Sequence, residues 1–492
     1  MDALLDLLRR EMVDQALADR LLSFIKGTED SSLEAAISQL AKRPDSFAFG
    51  LLIRCGYLQH HQDLSVLQSK RFYAYPTSLE QEALGLSPTE NSDPVVQADM
   101  TIDDDDTQEI DDALSATQDG DQLRIDVDIA NIAEFVPRQS PINNEALNRA
   151  ATLYLPTETH YMLPKCIACD RASLRAQERR PALRTTFWVN AQGIISRWEH
   201  RLVNVEVRRR INYQQADDQL ADKTGAGDSP LHLLHRAARL LRDERRRRGA
   251  LLITRQEWKI SLARGDGETT SGTLSARCVD MDTPSRQLVA EMMVTTNGLA
   301  ARKAVESHLP FIFRVQKAPE ERLPALREGD PKSYLLLRGK IRPANLATVA
   351  APHWALKLDC YSQITSPIRR YIDLVLQRQL IASLRGIALP YDLADLQSLV
   401  GALETKELEN RRIEAAVQQR WALEYLLPYR KAKLPASILN ATGGGYRVEI
   451  LRGGAFGFMP SPRHHAVGAP LEVRIEQLNP LKGALRLREV RN

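Results

Sequence analysis

Hydrophobic positions follow three successive patterns along the chain. Up to about residue 70, leucine, isoleucine and alanine recur at intervals of three and four residues, which predicts several short amphipathic helices. Between about residues 100 and 430, alternating strand-like stretches mix with longer helical ones. From residue 434 onward, short strand-like pieces are separated by glycine and proline. These patterns predict an α+β chain with three domains, at residues 1–72, 73–432 and 433–492.

Capping residues and prolines mark several helix boundaries. Ser229 and Thr283, each followed by a proline, are expected to begin helices, and Gly249 is expected to end the first of them. A long helix is predicted over residues 406–427, where the next residue is a proline. The stretch LRIDVDI at 123–129 alternates apolar and polar positions, which predicts a strand with one buried face.

The two ends of the chain are typical of small modules. The short helices of residues 1–72 fit a helix-turn-helix or winged-helix module, and a helical packing domain without a ligand fits equally well. Residues 73–98, rich in Pro, Ser, Asn and acids, are predicted to connect this module to the next domain. The five strand-like pieces of residues 433–492 fit an OB-fold β-barrel. Basic residues outnumber acids there, which favours single-stranded RNA as a ligand over an ordinary solvated surface.

The overall composition narrows the class of protein. With 43% hydrophobic and 26% charged residues, the chain is expected to be globular. A net charge of +3 is too small to identify a nucleic-acid partner by itself. The sequence contains no apolar run of about 18 residues, so no membrane span is predicted. The mixed charges of residues 1–15 argue against a secretory signal. Five cysteines, an odd number, argue against a disulfide framework, so we expect a cytoplasmic protein.

The most informative stretch is TIDDDDTQEIDDA at residues 101–113. Its seven carboxylates are Asp103, Asp104, Asp105, Asp106, Glu109, Asp111 and Asp112. No lysine or arginine lies between Arg71 and Arg124, so a folded cluster needs a bound cation or arginines distant in sequence. Oxygen ligands without histidine or cysteine favour Mg²⁺ or Mn²⁺ over zinc.

The acidic stretch has two other interpretations. An EF-hand is excluded, because Gln108 and Leu114 would occupy its glycine and glutamate positions. A solvated acidic loop is the second alternative. Apolar flanking residues and the strand that follows argue against it, because disordered acidic segments do not usually lead straight into a packed sheet.

A second cluster of candidate residues is YSQITSPIRRY at residues 361–371. Ser366, followed by a proline, predicts a helix start that would place Arg369 and Arg370 in the first turns. An arginine there is able to contact a phosphate through two N–H groups, and the helix start adds exposed backbone donors. Together with a metal held by carboxylates, this arrangement suits phosphodiester hydrolysis.

These motifs resemble those of the ribonuclease II (RNB) family. The acidic stretch is similar to the family's catalytic motif, and four further stretches follow in the family's order: VDIANIAEFV, LYLPTETHYMLP, RQLVAEMM and YSQITSPIRRYIDL. The resemblance covers about residues 75–430, and the closing barrel resembles the RNA-binding domain that ends these chains. It implies an RNB catalytic domain, with a mixed sheet and packed helices, between the N-terminal module and the OB-fold barrel.

The resemblance also implies an activity and a catalytic set. The protein would be a 3′→5′ exoribonuclease that degrades single-stranded RNA to nucleoside 5′-monophosphates with Mg²⁺, for which Mn²⁺ would substitute. By the same resemblance, Asp103, Glu109 and Asp112 would hold the metal. Asp111 would position or activate the attacking water, and Arg369 would contact the scissile phosphate.

Four further residues are assigned to RNA by the resemblance. Tyr154 would stack on the last base and Trp258 on an upstream base. Tyr213 and Glu291 would lie near the terminal ribose, where the 2′-hydroxyl distinguishes RNA from DNA. For the two aromatic residues Trp258 and Tyr213, a place in the hydrophobic core is an equally good interpretation. We expect a monomer that binds single-stranded RNA and no membrane.

The chain departs from the family pattern in several places. Glu109 stands where the family usually has aspartate, and Asp128, Gln316 and Gln363 stand where histidine is common. A short helical unit precedes the catalytic region in place of the two cold-shock barrels that bacterial members often carry, so the RNA entrance is expected to differ. An RNA-binding regulator built on an inactive RNB scaffold is the alternative function. It is disfavoured because all four motif positions are acidic and Arg369 is present.

Overall fold

A computed structural model describes residues 2–69, 71–72, 74–88, 92–222, 229–253, 256–263, 273–324, 335–337 and 339–490. Within them the helices are α1 (Asp2–Arg9), α2 (Gln15–Ile25), α3 (Ser31–Ser38), α4 (Pro44–Arg54), α5 (Leu64–Ser69), α6 (Thr77–Gly85), α7 (Pro141–Arg149), α8 (Tyr213–Ala221), α9 (Pro230–Arg247), α10 (Pro284–Glu306), α11 (Tyr371–Arg385) and α12 (Leu393–Leu426). The strands are β1 (Val95–Asp103), β2 (Asp112–Asp119), β3 (Gln122–Ala130), β4 (Leu153–Tyr154), β5 (Thr159–His160), β6 (Arg179–Val189), β7 (Ile195–Asn212), β8 (Gln256–Ala263), β9 (Thr273–Asp280), β10 (Phe313–Val315), β11 (Asn345–Ala347), β12 (Leu434–Thr442), β13 (Gly445–Ile450), β14 (Phe456–Pro460), β15 (Pro470–Asn479) and β16 (Ala484–Glu489).

The N-terminal module is helical, as its apolar spacing predicts. Leu21, Leu33 and Ile37 are fully buried in a core that α1 to α4 share. All regular elements among the described residues up to 88 are helices, so no β-wing is present in that part of the structure. The expectation of a plain connection at residues 73–98 is wrong in part, because α6 forms there. Its Ala83 is buried against the core of the next domain.

Five strands of the central domain close into a first barrel, in the order β1-β2-β3-β6-β7. Neighbouring strands are antiparallel, except that β7 returns alongside β1 in parallel and pairs Asp103 with Asn212. The strand predicted at 123–129 is β3, but both of its faces are buried. Asp128 on the polar face is buried, and its carboxylate accepts two hydrogen bonds from Arg184, at 2.7 Å each. These bonds compensate the buried charge, so this face does not need to be in contact with solvent.

The helices of the central domain begin largely where their capping residues predict. The Ser229 hydroxyl accepts a hydrogen bond from the His232 N–H, and α9 ends before Gly249, whose φ is +87°. The long helix α12 begins earlier than expected, at Leu393, because the Asp392 carboxylate caps it. The predicted helix start at Ser366 is wrong. That residue begins a turn, and α11 starts only after Arg370.

The C-terminal region is the five-stranded barrel that the sequence predicts. Its strands close in the order β12-β13-β14-β16-β15, with β14 and β16 parallel and the other pairs antiparallel. The barrel core is continuous with one side of α12. Trp421 and Leu426 of that helix are buried with Ile438 and Val448 of the barrel.

Candidate active site

The acidic stretch forms a loop at one end of the first barrel. Asp103 is the last residue of β1, and Asp112 is the first residue of β2. The loop between them is fixed at Ile110, whose N–H donates to the Ser173 hydroxyl at 2.8 Å. The Ile110 carbonyl accepts from the Leu174 N–H at 3.0 Å. The ends of two paired strands therefore hold the acids of the loop close together.

Cations from distant parts of the chain contact the loop. The Arg210 guanidinium donates to the carbonyl oxygens of Thr107, at 2.7 Å, and Asp104, at 3.2 Å. The Asp104 carboxylate accepts from both Lys259 and Arg286. Although burial alone would raise it, these hydrogen bonds lower the pKa of Asp104. The charge compensation that the sequence requires thus comes from β7, β8 and α10.

Three carboxylates of the loop lie in a poorly solvated environment. Burial raises the pKa of Asp103 to about 7 and that of Asp111 to about 6. Burial, together with the charges of Asp103 and Asp111, raises the pKa of Asp112 well above its usual range. Asp103 Oδ2 is buried and has no hydrogen-bond partner among the described residues. Like charges held this close favour a bound cation.

The donor set fits magnesium held by few protein ligands. Within the described ranges, no group of three or more His, Cys, Asp or Glu side chains is placed to hold a metal ion. Asp103 and Asp112 form a pair of interacting carboxylates, one with an unpartnered oxygen. Mg²⁺ is usually bound through one or two carboxylates plus waters and substrate phosphates. The absence of histidine and cysteine from the pair disfavours zinc.

Glu109 does not join this pair. One of its carboxylate oxygens accepts from the Thr152 hydroxyl at 2.9 Å, and the other accepts from the Tyr154 hydroxyl. Burial raises the pKa of Glu109 to about 7. Both oxygens of Glu109 are therefore hydrogen-bonded to the segment that contains β4.

Arg369 is anchored beside the acids and remains open to solvent. Its Nε donates to Asp111 at 3.0 Å, while 45% of the side chain is exposed. The other oxygen of Asp111 accepts from the Ile368 N–H at 2.9 Å. Arg370 differs, because it donates to the fully buried Asp373 at 2.6 Å. Of the two arginines, Arg369 is therefore the one placed to meet a ligand at the acid loop.

Backbone hydrogen bonds hold the segment that contains Tyr154 beside Arg369. The Thr152 N–H donates to the Arg369 carbonyl at 3.0 Å, and the Tyr371 N–H donates to the Ala150 carbonyl at 2.8 Å. Although its hydroxyl is bound to Glu109, Tyr154 is 48% exposed. An aromatic ring fixed at its tip and open on its face is suited to stacking.

The other three predicted RNA-binding residues, Tyr213, Glu291 and Trp258, lie in three different surroundings. Tyr213 lies near Asp103 and Asp112: burial and then the charges of these acids raise its pKa. Glu291 is buried in an ion pair with Arg245.

Trp258 lies on β8, between the acid loop and the second barrel. A Cβ added at Gly454 would lie only 2.7 Å from its ring, so the indole packs closely against the barrel. The next residue, Lys259, contacts Asp104.

Sequence patterns do not reveal the residues that support the loop. Arg210, Lys259 and Arg286 are separated from the acids by about a hundred residues or more. Arg210 belongs to a basic run, but a run of that kind is usually a solvated face. The parallel return of β7 beside β1 brings it to the loop.

Known proteins share much of this sequence and fold. The sequence model of the RNB domain family matches residues 97–386, which is more than half of the chain. The chain is 30% identical over 393 residues to an uncharacterized ribonuclease of Synechocystis, covering 76% of this chain and 57% of that relative. It is 29% identical over 415 residues to an Exoribonuclease 2 of Yersinia enterocolitica, covering 75% and 62%. The chain therefore spans less than two thirds of the length of these curated relatives.

A solved structure is similar to most of the described fold. It is an active-site mutant of the Dss1 exoribonuclease from Candida glabrata, with a TM-score of 0.80 and 21% identity. The similarity covers 96% of this chain and 69% of that one.

In the described part of the chain, no helix is both long and apolar enough to cross a bilayer.

Proposed function

Because the chain belongs to the RNB domain family, we propose that it is a magnesium-dependent 3′→5′ exoribonuclease that degrades single-stranded RNA to nucleoside 5′-monophosphates. The observation that carries the proposal is the meeting of Asp103, Asp111 and Asp112 with the half-exposed Arg369 at one end of the first barrel. Relatives named ribonuclease and Exoribonuclease 2 support the substrate and the reaction.

Each side chain of the site has a distinct role in this proposal. Asp103 and Asp112 would hold Mg²⁺, which would supply Lewis-acid stabilisation of the phosphate and a lower pKa for a bound water. Asp111 positions or activates the attacking water. Its hydrogen bonds to the Ile368 N–H and to Arg369 fix the carboxylate for this role. Arg369 stabilises the negative charge that develops on the scissile phosphate.

The terminal nucleotide is held by the half-exposed Tyr154 ring. Glu109 binds the hydroxyl of this tyrosine and fixes the orientation of the ring, so we assign Glu109 a positioning role. Tyr213, close to Asp103 and Asp112, contacts the terminal ribose. The proposed setting is the cytoplasm, which the five free cysteines support, and the proposed active species is a monomer.

The test is the incubation of an RNA labelled at its 5′ end with the protein, in Mg²⁺ or in chelator. We expect a ladder that shortens from the 3′ end in Mg²⁺ only, with nucleoside 5′-monophosphates as the released product. RNA that is bound but not shortened under both conditions would favour the inactive scaffold. Internal cuts would exclude an exonuclease.

A further inference from the structure

A cavity of about 510 Å³ lies in the central domain, apart from the acid loop. Its walls come from the residue that follows α9, from the residues that follow β10 and from residues 351–359. Among the described residues that line it, none belongs to the acid loop. Pockets for small molecules usually measure about 300–1,000 Å³. The cavity therefore has the size that a single small molecule needs.

Gln316 holds the walls of the cavity together. Its backbone carbonyl accepts a hydrogen bond from the Trp354 N–H at 3.1 Å, and its side-chain oxygen accepts from the Ala355 N–H at 2.8 Å. Its side-chain amide donates to the Arg342 carbonyl at 2.8 Å. Because these bonds lie within the protein, the cavity is formed without a ligand, as binding sites for small molecules usually are.

The charge around the cavity is positive. Of the described residues that line it, Arg248, Lys317 and Lys357 are cations, and Asp359 is the one acid. The Asp359 side chain is 95% exposed and lies 4.0 Å from Arg248, so it compensates little of this charge. A cavity with an excess of cations attracts an anionic ligand.

Lys357 adopts a backbone conformation that favours glycine. Its φ is +54°, in the turn where the His353 N–H donates to the Leu358 carbonyl at 2.9 Å. A side chain in this left-handed region strains the backbone, and glycine would avoid the strain. Strained residues are concentrated at ligand sites. Here the strain accompanies a cation beside an aromatic ring, because the Lys357 ammonium group lies 4.8 Å from the centre of the Trp354 ring.

Two rings of the cavity wall are suited to a ligand. The Trp354 indole is half-buried and offers an aromatic surface on which a base is able to stack. His353 is only 9% exposed, and its Nδ1 is buried without a hydrogen-bond partner among the described residues. Burial lowers the pKa of His353 to about 4, so the ring is neutral at pH 7. A buried nitrogen of this kind is costly unless a ligand or a water satisfies it.

Packed side chains separate the cavity from the segment that carries Arg369. The His353 ring packs edge-on against Tyr361, with ring centres 5.5 Å apart. The Asn297 amide donates to the Tyr361 hydroxyl and to the Thr365 hydroxyl, at 3.2 Å each. The cavity is therefore a separate site from the acid loop.

We propose that this cavity binds a nucleoside phosphate, with the base stacked on Trp354 and the phosphate between the cations. Stacking accepts every base, and lysine and arginine are the usual partners of phosphate oxygens. The excess of cations favours a nucleotide over a nucleoside. The inference goes beyond the proposed exoribonuclease function and does not depend on it.

The test is the binding of AMP to the full chain, measured by isothermal titration calorimetry in chelator, with adenosine and inorganic phosphate for comparison. Lys357→Gly removes the ammonium group, and the fold should be retained because glycine adopts the observed φ without strain. The matched control is Lys42→Gly, which removes an exposed lysine of the helical module that lies between two helices and does not line the cavity.

The wild type is expected to bind AMP more tightly than adenosine or phosphate alone. Lys357→Gly should weaken AMP binding about tenfold or more, the effect of one lost charge-assisted hydrogen bond. Trp354→Ala should weaken it about as much, while Trp354→Phe keeps a ring and should lose less. The control should match the wild type. Wild-type affinity in Lys357→Gly, an equal loss in the control, or no AMP binding by the wild type would overturn the inference.

Arg369→Ala distinguishes this cavity from the acid loop. This variant should bind AMP as the wild type does, and a short oligoadenylate should not displace AMP. Loss of AMP binding in Arg369→Ala, or displacement by the oligoadenylate, would place the nucleotide at the acid loop and overturn the inference. Because binding is measured in chelator, the result is the same whether or not the protein hydrolyses RNA.

Discussion

At the residue scale, Asp111 is the acid whose surroundings are best defined. Its two oxygens accept from the Ile368 N–H and from Arg369, and its side chain is almost fully buried. Asp111→Asn keeps the shape and removes one charge. We expect it to abolish hydrolysis and to leave RNA binding in chelator nearly unchanged.

Single-turnover cleavage and anisotropy on the same RNA check this prediction for Asp111→Asn. Cleavage near the wild-type rate would exclude Asp111 from activation of the water. Loss of binding as well would give it a structural role.

The neighbouring arginines should separate chemistry from stability. Arg369→Ala leaves Asp111 with its backbone donor, so we expect a slower chemical step, by about 10²–10³, and a modest effect on folding. Arg370→Ala removes the cation from the buried Asp373, which should lower the free energy of unfolding by about 3–5 kcal/mol. Single-turnover rates and urea unfolding of both variants distinguish the two effects. If Arg370→Ala slowed the chemical step and Arg369→Ala lowered the free energy of unfolding, Arg370 would be the phosphate ligand.

Tyr154 has a ring and a hydroxyl with separable roles. The exposed ring should hold the terminal base with about 1–3 kcal/mol, while the hydroxyl binds Glu109. Tyr154→Ala should therefore release longer end products from a labelled homopolymer, because short fragments have few other contacts. Tyr154→Phe keeps the ring and should give end products close to those of the wild type. Denaturing gels measure the length of the end products for both variants. Identical end products from the wild type, Tyr154→Ala and Tyr154→Phe would mean that Tyr154 has a packing role only.

At the scale of elements, local patterns predicted what depends on neighbouring residues. The strands β12 to β16 and the starts of α9 and α10 follow from alternation, glycines and capping residues close in sequence. The support of the acid loop could not be predicted, because Lys259 and Arg286 reach Asp104 only after the chain folds. The exposure of β3 was predicted wrongly for a similar reason, since Arg184 on another strand permits Asp128 to be buried.

Strand β7 carries a buried histidine that should make folding pH-dependent. Burial lowers the pKa of His200 to about 4, and its Nδ1 shares a hydrogen bond with the Thr185 hydroxyl at 2.9 Å. The unfolded chain, with a histidine pKa of about 6.5, binds the proton more readily between these values. The contribution of His200 to stability is therefore present above about pH 6.5 and is lost as the pH falls through about 4, by up to roughly 3 kcal/mol.

The check on His200 is urea unfolding between these pH values for the wild type and for His200→Gln, whose amide is able to replace the hydrogen bond. The variant should show a weaker decline in unfolding free energy on acidification. Parallel curves for the two proteins would show that His200 does not cause the decline.

At the scale of the whole molecule, Leu481 and Arg420 make two of the contacts that hold the helical module against the rest of the chain. Leu481, in the loop between β15 and β16, packs into the module core, where a Cβ added at Gly50 would lie 3.1 Å from it. On α12, Arg420 forms a buried ion pair with Asp63 and also donates to the carbonyls of Gln62 and His60. The relative placement of module and barrel depends on these contacts.

The two partners of the buried ion pair should not be equally costly to change. Asp63→Asn keeps one oxygen that is able to accept from Arg420, and the guanidinium retains its two carbonyl acceptors. The acceptor that is lost is the one 3.3 Å from the Trp421 indole nitrogen. Arg420→Ala leaves a buried carboxylate with the Trp421 indole N–H as its remaining side-chain donor among the described contacts, so it should cost about 3–5 kcal/mol. Because the loss falls on the junction, the module should loosen before the rest of the chain unfolds. The measurement is urea unfolding monitored by limited proteolysis. Arg420→Ala should show an early unfolding step with cleavage near residues 60–63. Asp63→Asn should show a single step close to that of the wild type. One cooperative transition with an unchanged midpoint in Arg420→Ala would mean that the other contacts, among them the packing of Leu481, are enough to hold the module in place.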